Sequence, residues 1–401
     1  MPTETASPRA RAGARATDEG DRSRALDGAR GLAALSVLAF HAWLYTRAVP
    51  SASARESPLD YALHELRLGL VLFFVLSGFL LWRPFAAAAR GRRPRPGVRE
   101  YLVRRGARVL PAYLLALTAS VVLLYPADGT PGLRLPDPHD LPLFLVFAQN
   151  FFPETLMKLD PPMWTLAVEV SFYLLLPVLA VLGAYRLPRG LAWQALVPLG
   201  LLALGVWFNH DIAGTEVEVA NKLLPAMLPY FAVGMLAALL LDGRAGLGRR
   251  AAWALALAGV ALVVADAVWQ AQGAASRSAS LDYRIWRDLA AAIGFAALVA
   301  IAGGAARRGG PPRLLDARPL VALGTISYGL YLWHVPVLLL ARHLGLLPLQ
   351  TLPALAIALA ATIPIAAASW RWVERPAIER ARTATRRWRK HQQTPAAASA
   401  H

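Results

Sequence analysis

The chain has no cysteine. Disulfides, cysteine-ligated metals and an acyl-cysteine intermediate are therefore excluded. Lysine is almost missing as well: it occurs only at Lys158, Lys222 and Lys390, so nearly all the positive charge is arginine. Charged residues of either sign make up only 17% of the 401 residues, and acids are the scarcer kind, which leaves a net charge of +17. Against these shortages stands an excess of hydrophobic residues, 56%, above what soluble domains carry. A soluble chain this basic would point to nucleic acid. Here the arginines fall between apolar runs, so membrane orientation explains them and nucleic acid is not an expected partner.

About ten stretches of roughly 17 to 23 mostly apolar residues are each long enough to span a bilayer core. They are expected near 31–48, 66–85, 107–125, 163–183, 190–208, 223–241, 251–269, 288–306, 319–341 and 351–373. The predicted fold class is all-α: a polytopic membrane helix bundle. Residues 1–24 are polar and rich in Arg, Ala and Ser, and are expected to form a disordered basic tail with no cleavable signal peptide.

The loops set the orientation. Residues 86–106 carry Arg90, Arg92, Arg93, Arg95, Arg99, Arg104 and Arg105 against Glu100 alone. Further basic loops hold Arg186 and Arg189, then Arg244, Arg249 and Arg250, then Arg307, Arg308, Arg313 and Arg318. The alternate loops are acidic or mixed, with Asp128, Asp137, Asp140, Glu154 and Asp160 in one and Asp211, Glu216 and Glu218 in another. This alternation predicts both termini in the cytoplasm. The apolar stretch LPLFLVFAQNFF (141–152) is too short to cross and is expected at the outer surface or as a re-entrant segment. Prolines 177, 225, 229, 336 and 364 predict kinks.

Four groups of polar residues interrupt the apolar spans. In ALDGARGLAALSVLAFHAWLY (25–45), Arg30 and His41 are eleven residues apart. On a helix this spacing leaves them about 20° apart around the axis and about 16 Å apart along it. Arg30 at an interface can be a simple anchor and His41 a packing residue. Ionisable groups inside spans are nevertheless usually functional, and a neutral imidazole can act as a general base. Glu169, inside MWTLAVEVSFYLLLPVL, needs a partner at that depth. It can orient a histidine across helices, or it can bond Trp164 or Tyr173 and merely steady the bundle. Arg105 and Arg108 share one helix face, where they can grip phosphate oxygens or serve only orientation. Ser327, Tyr331 and His334 follow at i, i+4 and i+7, one stripe of a span, in which packing is the simpler reading.

The ordered set LDGARGLAALSVLAFHA, FFVLSGFLL, RRGARVLPAYL, WTLAVEVSFYLLLPVL, YFAVGMLAALL, LGTISYGLYLWHVPVL and VERP resembles the integral-membrane acyltransferase-3 family. The resemblance implies a membrane acyltransferase domain over 25–378, followed by a basic cytoplasmic tail over 379–401. It implies that Arg30 and His41 mark the active site, that Arg105 and Arg108 form the family's Arg-x-x-Arg and that Glu169 is its intramembrane glutamate. Activity implied is transfer of an acyl group, commonly acetyl from acetyl-CoA, to a hydroxyl. Stand-alone members act on surface polysaccharides, glycolipids and macrolides. This chain ends in a short basic tail, so acceptor recognition is expected in the bundle, its loops or a partner. Acyl-CoA is then a co-substrate, no permanently bound cofactor or metal is expected, and the location is the inner membrane of a bacterium. Arg30, Arg105 and Arg108 would bind the donor's phosphates, while His41 deprotonates the acceptor. Direct transfer and a covalent acyl-enzyme both stay open, as does the side from which the acceptor binds. A proton-coupled transporter is the competing class, because kinked helices with buried His and Glu suit that too.

Overall fold

In the computed structural model, residues 8–47, 57–212, 218–241, 247–277, 288–305 and 314–393 are described. Their regular structure is helical, with no β-strand among them. Arg244, Arg307, Arg308, Arg313 and Glu216, used above to orient the loops, lie outside the described residues. The helices are α1 (Pro8–Tyr45), α2 (Pro58–Glu65), α3 (Gly69–Ala89), α4 (Val98–Leu124), α5 (Leu141–Leu145), α6 (Met163–Leu179) and α7 (Leu191–Asp211). They continue with α8 (Leu224–Leu241), α9 (Arg249–Arg277), α10 (Leu289–Ala300), α11 (Arg318–Thr325), α12 (Ser327–His343), α13 (Thr351–Ser369) and α14 (Arg375–Gln393).

Among the described residues, seven helices are long and apolar enough to cross a membrane, and the bent pair α11–α12, with a 74° break, makes eight. Ten spans were expected. The two that fall short are the first, where Arg30 and His41 interrupt the apolar run of α1, and the eighth, where the apolar helix over Leu289–Gly304 is short. The helix α1 also starts at Pro8, inside the segment expected to be a disordered tail; Ala and Arg, which dominate it, are strong helix formers. At the other end, α14 carries the expected tail segment on as helix to Gln393, with Thr385 buried and bonded by Arg104 Nε of α4 at 3.1 Å.

The bundle is held by close backbone contact at glycines as well as by aromatic burial. A Cβ at Gly78 of α3 would overlap the Phe231 carbonyl of α8, and one at Gly234 of α8 would overlap the Val75 carbonyl of α3. Only glycine lets these two helices approach so closely, which is how membrane helices gain packing where lipid offers no hydrophobic drive. Phe172 and Phe231 stack behind this contact, with centroids 3.9 Å apart. At α11, Gly324 packs against the Asp27 backbone of α1 in the same way and fixes the turn that precedes α12.

Near the other end of these helices a buried charged network ties α2 to the start of α10. Arg67 bonds Glu65 at 2.9 Å and Asp288 at 2.8 Å, so the two acids are paired rather than stranded. The apolar segment 141–152 does not span. Its helix α5 ends after Leu145 and gives way to turns that run to α6, with Leu145 and Val146 exposed and Phe144 buried.

Candidate active site

A cavity of about 260 Å³ lies between α1, α3, α4, α6 and α12. Its lining includes Arg30, Arg105, Arg108, Glu169, Ser327 and Tyr331, six of the eight residues singled out from the sequence. They come from four helices and meet because each lies on the inward stripe of its own helix. The cavity is slightly below the roughly 300–1,000 Å³ common for small-molecule sites. That volume suits the reactive end of a ligand better than a whole nucleotide-bearing one.

The three guanidiniums gather at one end, with Arg105 and Arg108 within electrostatic range of Arg30. Arg30 is paired with Asp27, one turn earlier, at 2.9 Å. Neither Arg105 nor Arg108 has a carboxylate within ion-pair distance among the described residues, and Arg105 Nε is buried with no hydrogen-bond partner. The Arg105 guanidinium rests 6.0 Å from the ring centroids of Tyr101 and of Tyr173. Arg105 and Arg108 are partly exposed to the cavity, with Glu374 within electrostatic range of Arg108, and two such guanidiniums on one helix face can hold an anion.

Glu169 does not reach a histidine. Its Oε1 accepts from Ser77 Oγ at 3.0 Å and from Tyr173 Oη at 2.6 Å. Of the two sequence readings, the bonded carboxylate of the cavity wall is the one seen, and Tyr173 is the partner named for it. Ser77 was missed, although a serine in the apolar run FFVLSGFLL was a visible anomaly.

His41 and His334 are not in the cavity lining; they lie one ring beyond it. Tyr331 lines the cavity, its ring centroid is 5.7 Å from that of His334, and His334 is 4.8 Å from His41. His334 Nε2 and His41 Nδ1 are 3.1 Å apart. The surrounding carbonyls fix the tautomers. His334 Nδ1 lies 2.8 Å from Tyr331 O and 3.1 Å from Leu330 O, both acceptors, so Nδ1 carries the proton and Nε2 the lone pair. His41 Nδ1 lies 2.9 Å from Val37 O and faces that lone pair, so it too carries the proton. The remaining nitrogen, His41 Nε2, then carries the lone pair, with no hydrogen-bond partner among the described residues. The side chain that meets His41 is thus a second histidine, and the Glu169 of the orienting reading does not reach it. His334 is 1% exposed, and it was legible only as the end of the Ser327–Tyr331–His334 stripe.

A polytopic helical membrane protein is defined by this fold, with an arginine-lined cavity beside a histidine pair of which His334 is buried. The chain belongs to the acyltransferase-3 family, whose acyltransferase domain matches residues 23–371. It is 25% identical to the O-acetyltransferase OatA of Staphylococcus aureus over 336 residues, 77% of this chain and 52% of that protein. It is 28% identical to the exopolysaccharide production protein ExoZ of Rhizobium meliloti over 320 residues, 78% of this chain and 90% of that one. With YrhL of Bacillus subtilis, named for peptidoglycan O-acetylation, it shares 24% identity over 370 residues, 88% of this chain and 54% of that protein. The chain thus spans about half the length of OatA and YrhL. No solved structure matches it.

Proposed function

We propose that this protein is a membrane O-acyltransferase that moves an acyl group, acetyl in the simplest case, from acyl-CoA to a hydroxyl of a carbohydrate, glycolipid or macrolide acceptor. The observation that carries this reading is the contact of His41 with His334 at 3.1 Å: with Val37 O and Tyr331 O as the neighbouring acceptors, it favours a lone pair on His41 Nε2 within the bundle. Family membership and the names of the O-acetyltransferase relatives support it.

In this reading the basic loops face the cytoplasm, where acyl-CoA is found. Arg105 and Arg108, with Arg30 behind them, take the donor's phosphate oxygens, and the thioester arm runs along the Glu169 wall toward Tyr331. His41 Nε2 then removes the acceptor's hydroxyl proton as its oxygen attacks the thioester carbonyl. A carbon–oxygen bond forms, the carbon–sulfur bond breaks, and the proton held by His41 passes to the departing thiolate. His334 acts through His41 by accepting its Nδ1–H, so it is a positioning residue.

The test is transfer of label from acetyl-CoA to hydroxylated acceptors in membranes containing wild type or His41→Ala. Label should move with wild type and fall at least about a thousandfold with the variant, the scale on which an essential base acts. Wild-type rates in His41→Ala would remove the base from His41. Proton-driven solute movement without any acyl transfer would favour the transporter.

A further inference from the structure

The turn-rich stretch between α5 and α6 takes no part in the arginine cavity, yet it buries four acceptor oxygens with no donor among the described residues. These are Asp160 Oδ1 and Oδ2, Gln149 Oε1 and Asn150 Oδ1, on residues only 1%, 2% and 2% exposed. The segment holds them deliberately. Gln149 Nε2 donates to Met163 O at 3.2 Å, and Asn150 Nδ2 donates to Trp164 O and Lys222 O at 2.7 and 2.8 Å. Each amide nitrogen is therefore used, and each amide oxygen is left over. Leu159, immediately before Asp160, is in the left-handed region at φ 61°, as is Met157 at φ 57°. Bulky side chains rarely adopt that conformation without a compensating reason. The Leu159 N–H is fastened to Arg134 O at 2.7 Å, and Asp160 O caps the first turn of α6 through Met163 N at 3.0 Å.

A buried carboxylate without a donor is costly, and burial pushes the Asp160 carboxyl well above the usual carboxylate range. Such a group in a native fold calls for an explanation. Its surroundings supply one. Asp160 lies within electrostatic range of the hydroxyls of Tyr45, Tyr113 and Tyr331, and Gln149 also interacts with Tyr113. The Tyr45 ring stacks on His41 with centroids 6.4 Å apart, and Tyr331 touches His334. The orphaned oxygens thus stand on the far side of the histidine pair from the arginines.

We propose that Asp160 and Gln149 form the acceptor subsite, binding a polyhydroxylated carbohydrate whose O–H groups donate to these oxygens while a neighbouring hydroxyl reaches His41. This rests on the transferase reading above. Several acceptors without donors in one segment match a ligand rich in hydroxyls and match poorly one that offers only carbonyls or ethers.

The experiment uses the full-length protein in detergent, with methyl α-glucoside and N-acetylglucosamine as probes and their permethylated forms as controls. Probe binding is read as a shift in thermal midpoint, and label transfer from acetyl-CoA is followed in parallel. Wild type should be stabilised by the hydroxylated probes and not by the permethylated ones. Asp160→Asn exchanges a carboxyl oxygen for an amide nitrogen that cannot accept. It should weaken probe binding and raise the acceptor KM by about 2- to 12-fold, the range for one lost uncharged hydrogen bond, and leave the acetyl-CoA KM within about twofold. Gln149→Leu should act in the same direction, which guards against a folding defect in either variant. Equal probe binding by wild type and both variants overturns the subsite, as does a wild type that binds none of the hydroxylated probes. Acetyl-CoA turnover that survives in either case leaves the transferase reading standing; its absence in wild type removes that reading instead.

Discussion

Replacing His334 by alanine tests the histidine pair most directly. In the native arrangement His41 Nδ1–H is shared between Val37 O at 2.9 Å and His334 Nε2 at 3.1 Å. Alanine removes the second acceptor and keeps the first, so the productive tautomer is still favoured while the imidazole loses its lateral anchor. A neutral hydrogen bond has a net worth of about 0.5–1.5 kcal/mol. At about 1.4 kcal/mol per factor of ten, its loss predicts a fall in kcat of about 2- to 12-fold, with some further loss from ring disorder. The acetyl-CoA KM should not change, because His334 does not touch the arginine cavity. His334→Gln can present an amide oxygen near the position of Nε2 and should recover part of the rate. The assay is initial-rate transfer of labelled acetyl at saturating donor, run beside His41→Ala. An unchanged kcat in His334→Ala would falsify the orienting role. A loss as complete as that of His41→Ala would make His334 a base in its own right.

Three other expectations are open to measurement. Arg105→Ala or Arg108→Ala should raise the acetyl-CoA KM about 10- to 100-fold, and lysine at either position should restore only part of it, since a point charge does not replace a bidentate fork; unchanged donor KM values would remove both from donor binding. Gly234→Leu should lower the thermal midpoint or the folded yield sharply, because its side chain would enter the Val75 backbone of α3, whereas leucine at Gly129, which has open space around it but φ 84°, should cost only local backbone strain. Asp160→Asn should be more stable than wild type, by a margin that grows with pH. An acid whose folded-state pKa is raised contributes stability that is present below its unfolded value near 3.9 and is lost as pH rises through the folded value. Thermal midpoints of the two proteins that stay parallel from pH 4 upward would contradict a raised Asp160 pKa.

Much of the site was legible because polar residues stand out in an apolar sequence. Arg30, Arg105, Arg108, Glu169, Ser327 and Tyr331 were each visible as interruptions, and helical periodicity told which of them share a stripe. Pairings between helices were not legible. Nothing in local spacing says that His41 meets His334 rather than Glu169, since that depends on how α1, α6 and α12 are arranged around α3. The glycine contacts that set this arrangement, Gly78 against Phe231 and Gly234 against Val75, read in sequence only as permissive residues. The span count differed for a related reason. A helix that carries functional charge, such as α1, is less apolar than one that only crosses. Asp160 was misread as an ordinary loop acid, because burial of a loop carboxylate is decided by tertiary packing.

Once the helices are aligned, the axial order of the polar residues is the same on each. Along α1 it runs Arg30, His41, Tyr45; along α4 it runs Arg105, Arg108, Tyr113; along α12 it runs Ser327, Tyr331, His334. The helix α6 runs the other way, from the Asp160 segment through Thr165, which meets Tyr331 Oη at 2.7 Å, to Glu169 and then Tyr173 beside Arg105. Together the four helices build one sequence of environments: cations from α1 and α4 at one end, an imidazole pair from α1 and α12 between, and the unpartnered oxygens of the segment before α6 at the other. From Arg108 to Tyr113 the helical rise is only about 8 Å, and from Arg30 to His41 about 16 Å. These distances are short enough for one thioester arm to reach from the arginines to the histidines. A hydroxyl held at Asp160 approaches the same base from the opposite side. If donor and acceptor meet there, substitutions at the two ends should separate cleanly in kinetics, with Arg105→Ala acting on the donor KM and Asp160→Asn on the acceptor KM. Their combination should multiply rather than saturate, because the two groups share no contact. A double variant no worse than either single one would place both residues on a single ligand and would end the two-sided account.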